Sequence, residues 1–138
     1  MSIASIDFGK RRIGLALAYG ERGAVIPIEV IERSSLVRDL ARVVARLAEL
    51  EVSHVIVGLP LDMDGTEGPQ ARAAAQFAHQ LREASGLVVD LFDERLTSFE
   101  ARDRLLESGG RRPRGGIDAL AAAIILESWL ASMKAGPS

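Results

Sequence analysis

Apolar and polar positions fall into blocks whose period changes along the chain. Three short apolar runs come first, residues 2–7, 13–19 and 24–32. They are separated by Gly9-Lys10-Arg11-Arg12 and by Tyr19-Gly20-Glu21-Arg22-Gly23. Runs of this length bounded by glycine and charge predict strands, the first two joined as a hairpin. The third alternates apolar and acidic residues in its later part, and Pro27 places it at a sheet edge, where a missing N–H is tolerated. The period then becomes helical: Leu36, Leu40, Val43, Val44, Leu47 and Leu50 share one face, with Ser34 or Ser35 as the cap. His54 to Leu59 is a continuous apolar run, as in a buried parallel strand.

Residues 60–69 carry proline, glycine and aspartate, and form a loop by every local signal. Pro69 suits the first turn of a helix that runs to about Ser85 and stops at Gly86. Leu87 to Phe92 is the fifth strand. Thr97-Ser98-Phe99-Glu100 has the capping-box pattern and starts a helix reaching about Ser108. Gly109 to Gly116 is a loop, and Ile117 to Met133 is a last helix, apolar nearly all round and therefore well buried. The order βββ-α-β-α-β-α-α makes the later strands parallel, because each intervening helix is a crossover. The expected fold is an α/β single domain over residues 1–138, a mixed five-stranded sheet with helices on both faces.

Composition narrows the chemistry. The chain has no cysteine, which excludes disulfides and thiolate metal sites. There is no signal-peptide pattern and no apolar run of membrane-spanning length, so a cytoplasmic protein with no membrane partner is expected. The net charge is −2, so bulk charge does not announce a nucleic-acid binder. Its arrangement says more. Lys10, Arg11 and Arg12 crowd the first turn, and Arg111, Arg112 and Arg114 crowd the Gly-rich loop. Solvated loops are the default for such runs; phosphate binding is the alternative.

The candidate acids are those at strand ends. Asp7 closes the first strand; Asp62 and Asp64 follow the fourth; Asp93 and Glu94 follow the fifth; Asp118 opens the last helix. Each has an ordinary reading. Asp7 could pair with Arg11 or Arg12, Asp62, Asp64 and Asp93 could be solvated, and Asp118 could favour the helix dipole. Yet ligands of open α/β sheets sit beyond the carboxyl ends of the parallel strands, where Asp7, the 60–65 loop and Glu94 all fall. Converging carboxylates there would bind a hard cation, Mg²⁺ or Mn²⁺. Phosphoryl transfer assisted by two metal ions is the chemistry that needs such a cluster. His54, His79, Ser5 and Ser98 have no triad partners in view, there is no Walker A pattern, and Trp129 reads as core or interface.

Four blocks together resemble a known family. They are Asp7-Phe8-Gly9-Lys10-Arg11-Arg12-Ile13-Gly14, then residues 57–68, then Asp93-Glu94-Arg95-Leu96-Thr97, then Ile117-Asp118-Ala119-Leu120-Ala121-Ala122. In order and spacing they look like the YqgF (RuvX) family, in the RuvC-like branch of the RNase H-like nucleases. The resemblance implies an RNase H-like sheet of order 3-2-1-4-5 and metal-dependent phosphodiester cleavage. It implies nucleic-acid partners: precursor 16S ribosomal RNA, with ribosomal particles as company, or structured or single-stranded DNA such as a Holliday junction. It maps Asp7, Glu94 and Asp118 onto the family's catalytic, metal-binding acids, and leaves Asp93, Asp62 and Asp64 as lower-ranked ligands. Lys10, Arg11, Arg12, Arg95, Arg111, Arg112 and Arg114 become the expected phosphate contacts. Lys10 stands where the family often has Thr or Ser, and Asp62 where it often has Asn.

That sheet order sets a geometric question. Strand five lies two places from strand one, roughly 10 Å between backbones. Either Glu94 reaches inward, or Asp62 or Asp64 completes the site. A non-catalytic nucleic-acid or ribosome-binding module, with the acids serving stability, is the reading from another class. An ATPase of the actin–hexokinase type is set aside because the chain has length for one domain only. A monomer and a homodimer are equally compatible with the sequence; junction cleavage would need the dimer.

Overall fold

The computed structural model describes residues 2–20, 23–97, 100–103, 105 and 116–134; of Gly116, Ile117, Asp118 and Lys134 it describes the backbone alone. The strands are β1 (Ser2–Phe8), β2 (Arg12–Tyr19), β3 (Ile26–Glu32), β4 (Val52–Leu59) and β5 (Val88–Asp93). The helices are α1 (Leu36–Glu49), α2 (Pro69–Ser85) and α3 (Gly116–Lys134), with a 3₁₀ turn at Glu94–Leu96. Residues 100–103 are helical as well, whereas Ser98 and Phe99 of the capping box and the loop at 109–115 lie outside the described residues. The sheet order is β3-β2-β1-β4-β5, with β1 antiparallel to β2 and parallel to β4. Strand β4 starts two residues earlier than its apolar run suggests, and β3 two residues later.

Local chemistry explains the boundaries. Ser35 caps α1, its hydroxyl accepting from Arg38 N at 3.2 Å. Gly86 ends α2 in the left-handed conformation, φ +71°, which costs an L side chain more. Pro27 sits on the edge strand β3, and the β2–β3 register slips at Leu15/Ala16, beside Pro27's own pairing with Ala16. A residue that cannot donate belongs at such an irregularity.

Alternation along β1 builds two cores. Ala4, Ile6 and Phe8 face one side and pack with Val43 and Leu47 of α1 and Phe77 and Leu81 of α2. Phe8 and Phe77 stack with ring centroids 4.4 Å apart. Ile3 faces the other side, with Ile56, Phe92 and the α3 residues Ala122, Ile125 and Leu126. Ser5 is on that second face, and its buried hydroxyl donates to Ala122 O at 2.6 Å. Asp7, two residues on, shares the face.

The direction of α3 follows from two contacts. Ile125 packs beside Gly58 near the end of β4, and Trp129 meets His54 near its start, edge-on at 5.1 Å. The helix therefore runs opposite to β4, and its first turn lies toward the carboxyl ends of β1 and β4.

The β3–α1 corner contains a fully buried carboxylate, Asp39, which the sequence pattern does not single out. It accepts from Ser34 N at 2.9 Å, Ser34 Oγ at 3.3 Å and Arg33 Nε at 3.3 Å. Arg33 also donates to Gly9 O at 3.2 Å and lies over the Phe8 ring, 4.3 Å from its centroid. Its amide donates to Arg11 O at 2.8 Å. An ion pair with its carboxylate fully buried thus ties α1 to the β1–β2 turn. Removing one partner of such a pair strands the other, so Asp39→Ala is expected to cost about 3 kcal/mol of stability in urea denaturation. A loss under about 0.5 kcal/mol, the range of an ordinary surface change, would show that the corner is held by packing alone.

Candidate active site

The site is built at the carboxyl edge of the parallel strands. Asp7 is the penultimate residue of β1, paired with Gly14 of β2 and half-buried on the α3 face. The carbonyl of its neighbour Phe8 accepts from Gln70 Nε2 at 2.6 Å, so the first turn of α2 holds the end of this strand. On the other side, Ile6 pairs with Val57 of β4, which puts Gly58 next in line beside Asp7.

Glu94 answers the question of reach. It is the first residue of the 3₁₀ turn that closes β5, a turn capped by Asp93, whose Oδ1 accepts from Arg95 N at 2.9 Å. The turn swings Glu94 back over the sheet. A Cβ added to Gly58 would lie 3.0 Å from Glu94 Oε2, 3.1 Å from its Cδ and 2.5 Å from Ile125 Cδ1. The carboxyl group therefore rests on the bare backbone of β4, between β5 and β1. Burial, then the charge of Asp7, then that of Asp93, push Glu94 up to about 7. Asp7 is thus near enough for its charge to disfavour the ionised form of Glu94.

The lower-ranked acids are engaged elsewhere. Asp93 faces Arg95, with Nη2–Oδ2 at 2.7 Å and Nε at 3.1 Å from both oxygens. Those bonds hold its carboxyl below the usual range. Arg95, expected on phosphate, also donates to Met63 O at 3.4 Å and lies against Gly65, whose φ is +88°. Asp64 accepts from the Thr66 hydroxyl at 2.7 Å and amide at 3.0 Å, which lower its pKa. Asp62 accepts from the same hydroxyl at 3.1 Å. Asp62, Asp64 and Asp93 thus shape the 60–68 loop and its tether, while Glu94 is the acid turned toward Asp7.

Lys10, Arg11 and Arg12 are exposed on the β1–β2 turn, just beyond Asp7. Arg111, Arg112 and Arg114 lie outside the described residues, as does the side chain of Asp118. The backbone places Asp118 third in α3, on the turn nearest the carboxyl edge. Among the described residues no group of three or more acids or histidines gathers into a metal cluster. The pair that is described fits a hard divalent cation: oxygen donors from two carboxylates, mutually repelling, on a face with Ser5 behind.

Gly58 is the residue that sequence reasoning passes over. Its signal was present, since a glycine interrupting an apolar strand marks a close approach. Gly58→Ala is expected to displace the Glu94 carboxyl and weaken Mn²⁺ binding at least ten-fold by calorimetry; unchanged affinity would put Glu94 outside the metal site. The raised Glu94 pKa also sets a sign for stability. Its folded value, about 7, exceeds the ordinary 4.5, so its contribution is present below pH 4.5 and is lost as pH rises through 7. Metal-free protein should therefore melt lower at pH 8 than its other groups dictate, and Glu94→Gln should flatten the fall between pH 5 and 8. Melting curves that keep the same slope in the variant would contradict the assignment.

Comparison with known proteins agrees with the fold. A family model described as RuvX, Holliday junction resolvase, matches residues 1–132. A protein of Anaeromyxobacter sp. named "Putative pre-16S rRNA nuclease" is 48% identical over 132 residues, 94% of this chain and 96% of its own. A protein of the same name from Pectobacterium carotovorum is 40% identical over 130 residues, 93% of this chain and 94% of its own. Among solved structures, Thermus thermophilus RuvC in complex with a Holliday junction substrate superposes with a TM-score of 0.71 at 17% identity, covering 99% of this chain and 96% of that one. At that identity the likeness speaks for the RNase H-like fold. With the matched sequence running through all five strands and both ends of the acidic edge, the chain belongs to the RuvX family.

Proposed function

We propose that this chain is a divalent-metal-dependent nuclease that hydrolyses phosphodiester bonds at the 5′ end of precursor 16S ribosomal RNA. The observation that carries the reading is the Glu94 carboxyl laid over Gly58 toward Asp7. There burial and the charge of Asp7 both disfavour the ionised form of Glu94. The names of relatives at 40–48% identity supply the substrate.

In this reading Asp7, Glu94 and Asp118 hold Mg²⁺ or Mn²⁺. The bound ions would make water a better nucleophile and stabilise charge on the leaving oxygen, the two-ion arrangement being the one the acids suit. The chain's own residues do the rest. Asp7 is held on the central strand by its pairing with β2 and by the Gln70 bond to its neighbour. Glu94 is carried over Gly58 toward Asp7 by the 3₁₀ turn that closes β5. Arg95 ties Asp93 to the 60–68 loop beside the site. The water oxygen bonds to phosphorus, the bond to the 3′ oxygen breaks, and that oxygen takes the proton, leaving a 5′-phosphate and a 3′-hydroxyl.

The second reading is junction resolution, favoured by the description of the family. Product mapping on precursor ribosomal RNA beside a four-way DNA junction separates the two. Asp7→Asn and Glu94→Gln are each expected to lower cleavage by at least a hundred-fold in Mn²⁺. Full activity in Asp7→Asn would sink the site. Saturable RNA binding with no cleavage under any divalent ion would leave a non-catalytic, ribosome-directed module instead.

A further inference from the structure

Beyond Gly58, the sequence block at 57–68 leaves β4 and runs as a largely exposed loop to α2. The loop is closed by its own bonds. Asp62 N donates to Thr66 O at 2.9 Å, and Gly65 N to Asp62 O at 2.8 Å. The Thr66 hydroxyl lies 3.1 Å from Asp62 Oδ2 and 2.7 Å from Asp64 Oδ1. A Cβ on Gly68 would stand 3.4 Å from Asp62 Oδ2, so the exit of the loop packs on its entry. We propose that this loop is a brace between the two acids that hold the metal, attached to the Glu94 turn by Arg95 and to the end of β1 by Gln70. Both are positioning residues.

The brace continues what the sheet begins. Strand β4 lies between β1 and β5. Its last pair with β1 is Val57 with Ile6, one residue before Asp7. Its last pair with β5 is Leu59 with Asp93, one residue before Glu94. Beyond those pairs, the loop that continues β4 links the same two elements again. At one end, Arg95 Nη1 donates to Met63 O at 3.4 Å and lies 3.3 Å from where a Cβ on Gly65 would stand. That guanidinium is already fixed by Asp93, so it loses little further freedom in reaching the loop. Its charge and that of Asp64 favour one another. At the other end, Gln70 is the second residue of α2, and its Nε2 donates to Phe8 O at 2.6 Å, next to Asp7. A continuous path thus runs from Glu94 through Arg95, Met63, the closed loop, Gln70 and Phe8 to Asp7.

A small divalent cation makes such a path matter, because it demands its oxygen ligands close to fixed positions. Residues that hold ligands in place, without touching the ion, then tune its affinity. This role for Arg95 needs no nucleic acid, which separates it from a phosphate contact.

The proposal rests on the reading that Asp7 and Glu94 bind the ion, and the test separates the two. Mn²⁺ is titrated by calorimetry, without nucleic acid, into the full chain and into Gln70→Met, Arg95→Lys, their double variant, Thr66→Val and Asp7→Asn. Urea denaturation of each metal-free protein reads the fold. Gln70→Met removes the donor and keeps the length, and Arg95→Lys keeps the charge and removes the fork. Thr66→Val loosens the loop and leaves both attachments in place. Expected is about ten-fold weaker Mn²⁺ binding in each of the three single loop variants. A brace fails wherever it is cut, so the double variant is expected to stay near ten-fold, whereas independent supports would give about a hundred-fold. A hundred-fold loss there would overturn the brace. So would wild-type affinity in Thr66→Val, or a lowered urea midpoint with affinity intact. In each of those cases, loss of binding in Asp7→Asn would leave the nuclease reading standing. Thr66→Val alone decides if an attachment variant fails to fold. No saturable Mn²⁺ binding by the wild-type chain, or wild-type affinity in Asp7→Asn, would overturn both.

Discussion

The placement of the Glu94 carboxyl on the bare backbone of Gly58, beside Asp7, is the constraint on which the carboxyl edge of the sheet depends. Like charges drawn together in a half-buried place oppose folding, so the surroundings have to hold them there. Gly58 gives the space, because any side chain at that position would meet both Ile125 and Glu94. The 3₁₀ turn gives the direction, carrying Glu94 off β5 and back across β4. Ser5 and the α3 residues packed behind them fix how close the last helix comes. Each is a modest local choice; together they bring the Glu94 carboxyl over β4 toward Asp7.

Around that pair the charges are sorted by flank. On the β5 side, Asp93 and Arg95 neutralise one another, and Thr66 occupies Asp62 and Asp64. On the β3 side, cations predominate in a cleft whose buried counter-charge, Asp39, is turned inward. The chain's net charge of −2 hides this arrangement, because what matters to a phosphate is the field within about a Debye length.

The far end of the sheet is quieter. His54 lies 2.7 Å from Asp90 and edge-on to Trp129, a cross-element contact joining β4, β5 and α3. It stands at the amino ends of the strands, away from Asp7, and serves packing. Trp129 is half-buried and packs against the second core.

Much of the fold was legible because its periods are clean. Pro27 on an edge strand, Pro69 and Gly86 at the ends of α2, and a continuous apolar run for β4 each have one cheap physical explanation, and the sheet order follows the family resemblance. The family resemblance carried by the four motif blocks put Asp7 and Glu94 forward as candidates, and both stand at the carboxyl ends of their strands. What the sequence could not decide was distance. Whether Glu94 bridges the roughly 10 Å from β5 to β1 depends on a turn conformation and on a missing Cβ one strand away. Asp39 was equally invisible, because in one dimension it is an ordinary acid in the first turn of a helix, and only the closure of α1 onto the sheet buries it against Arg33. Sequence determines which residues can do the chemistry; the tertiary packing decides which of them meet, because burial and mutual charge exist only once separate strands share a face.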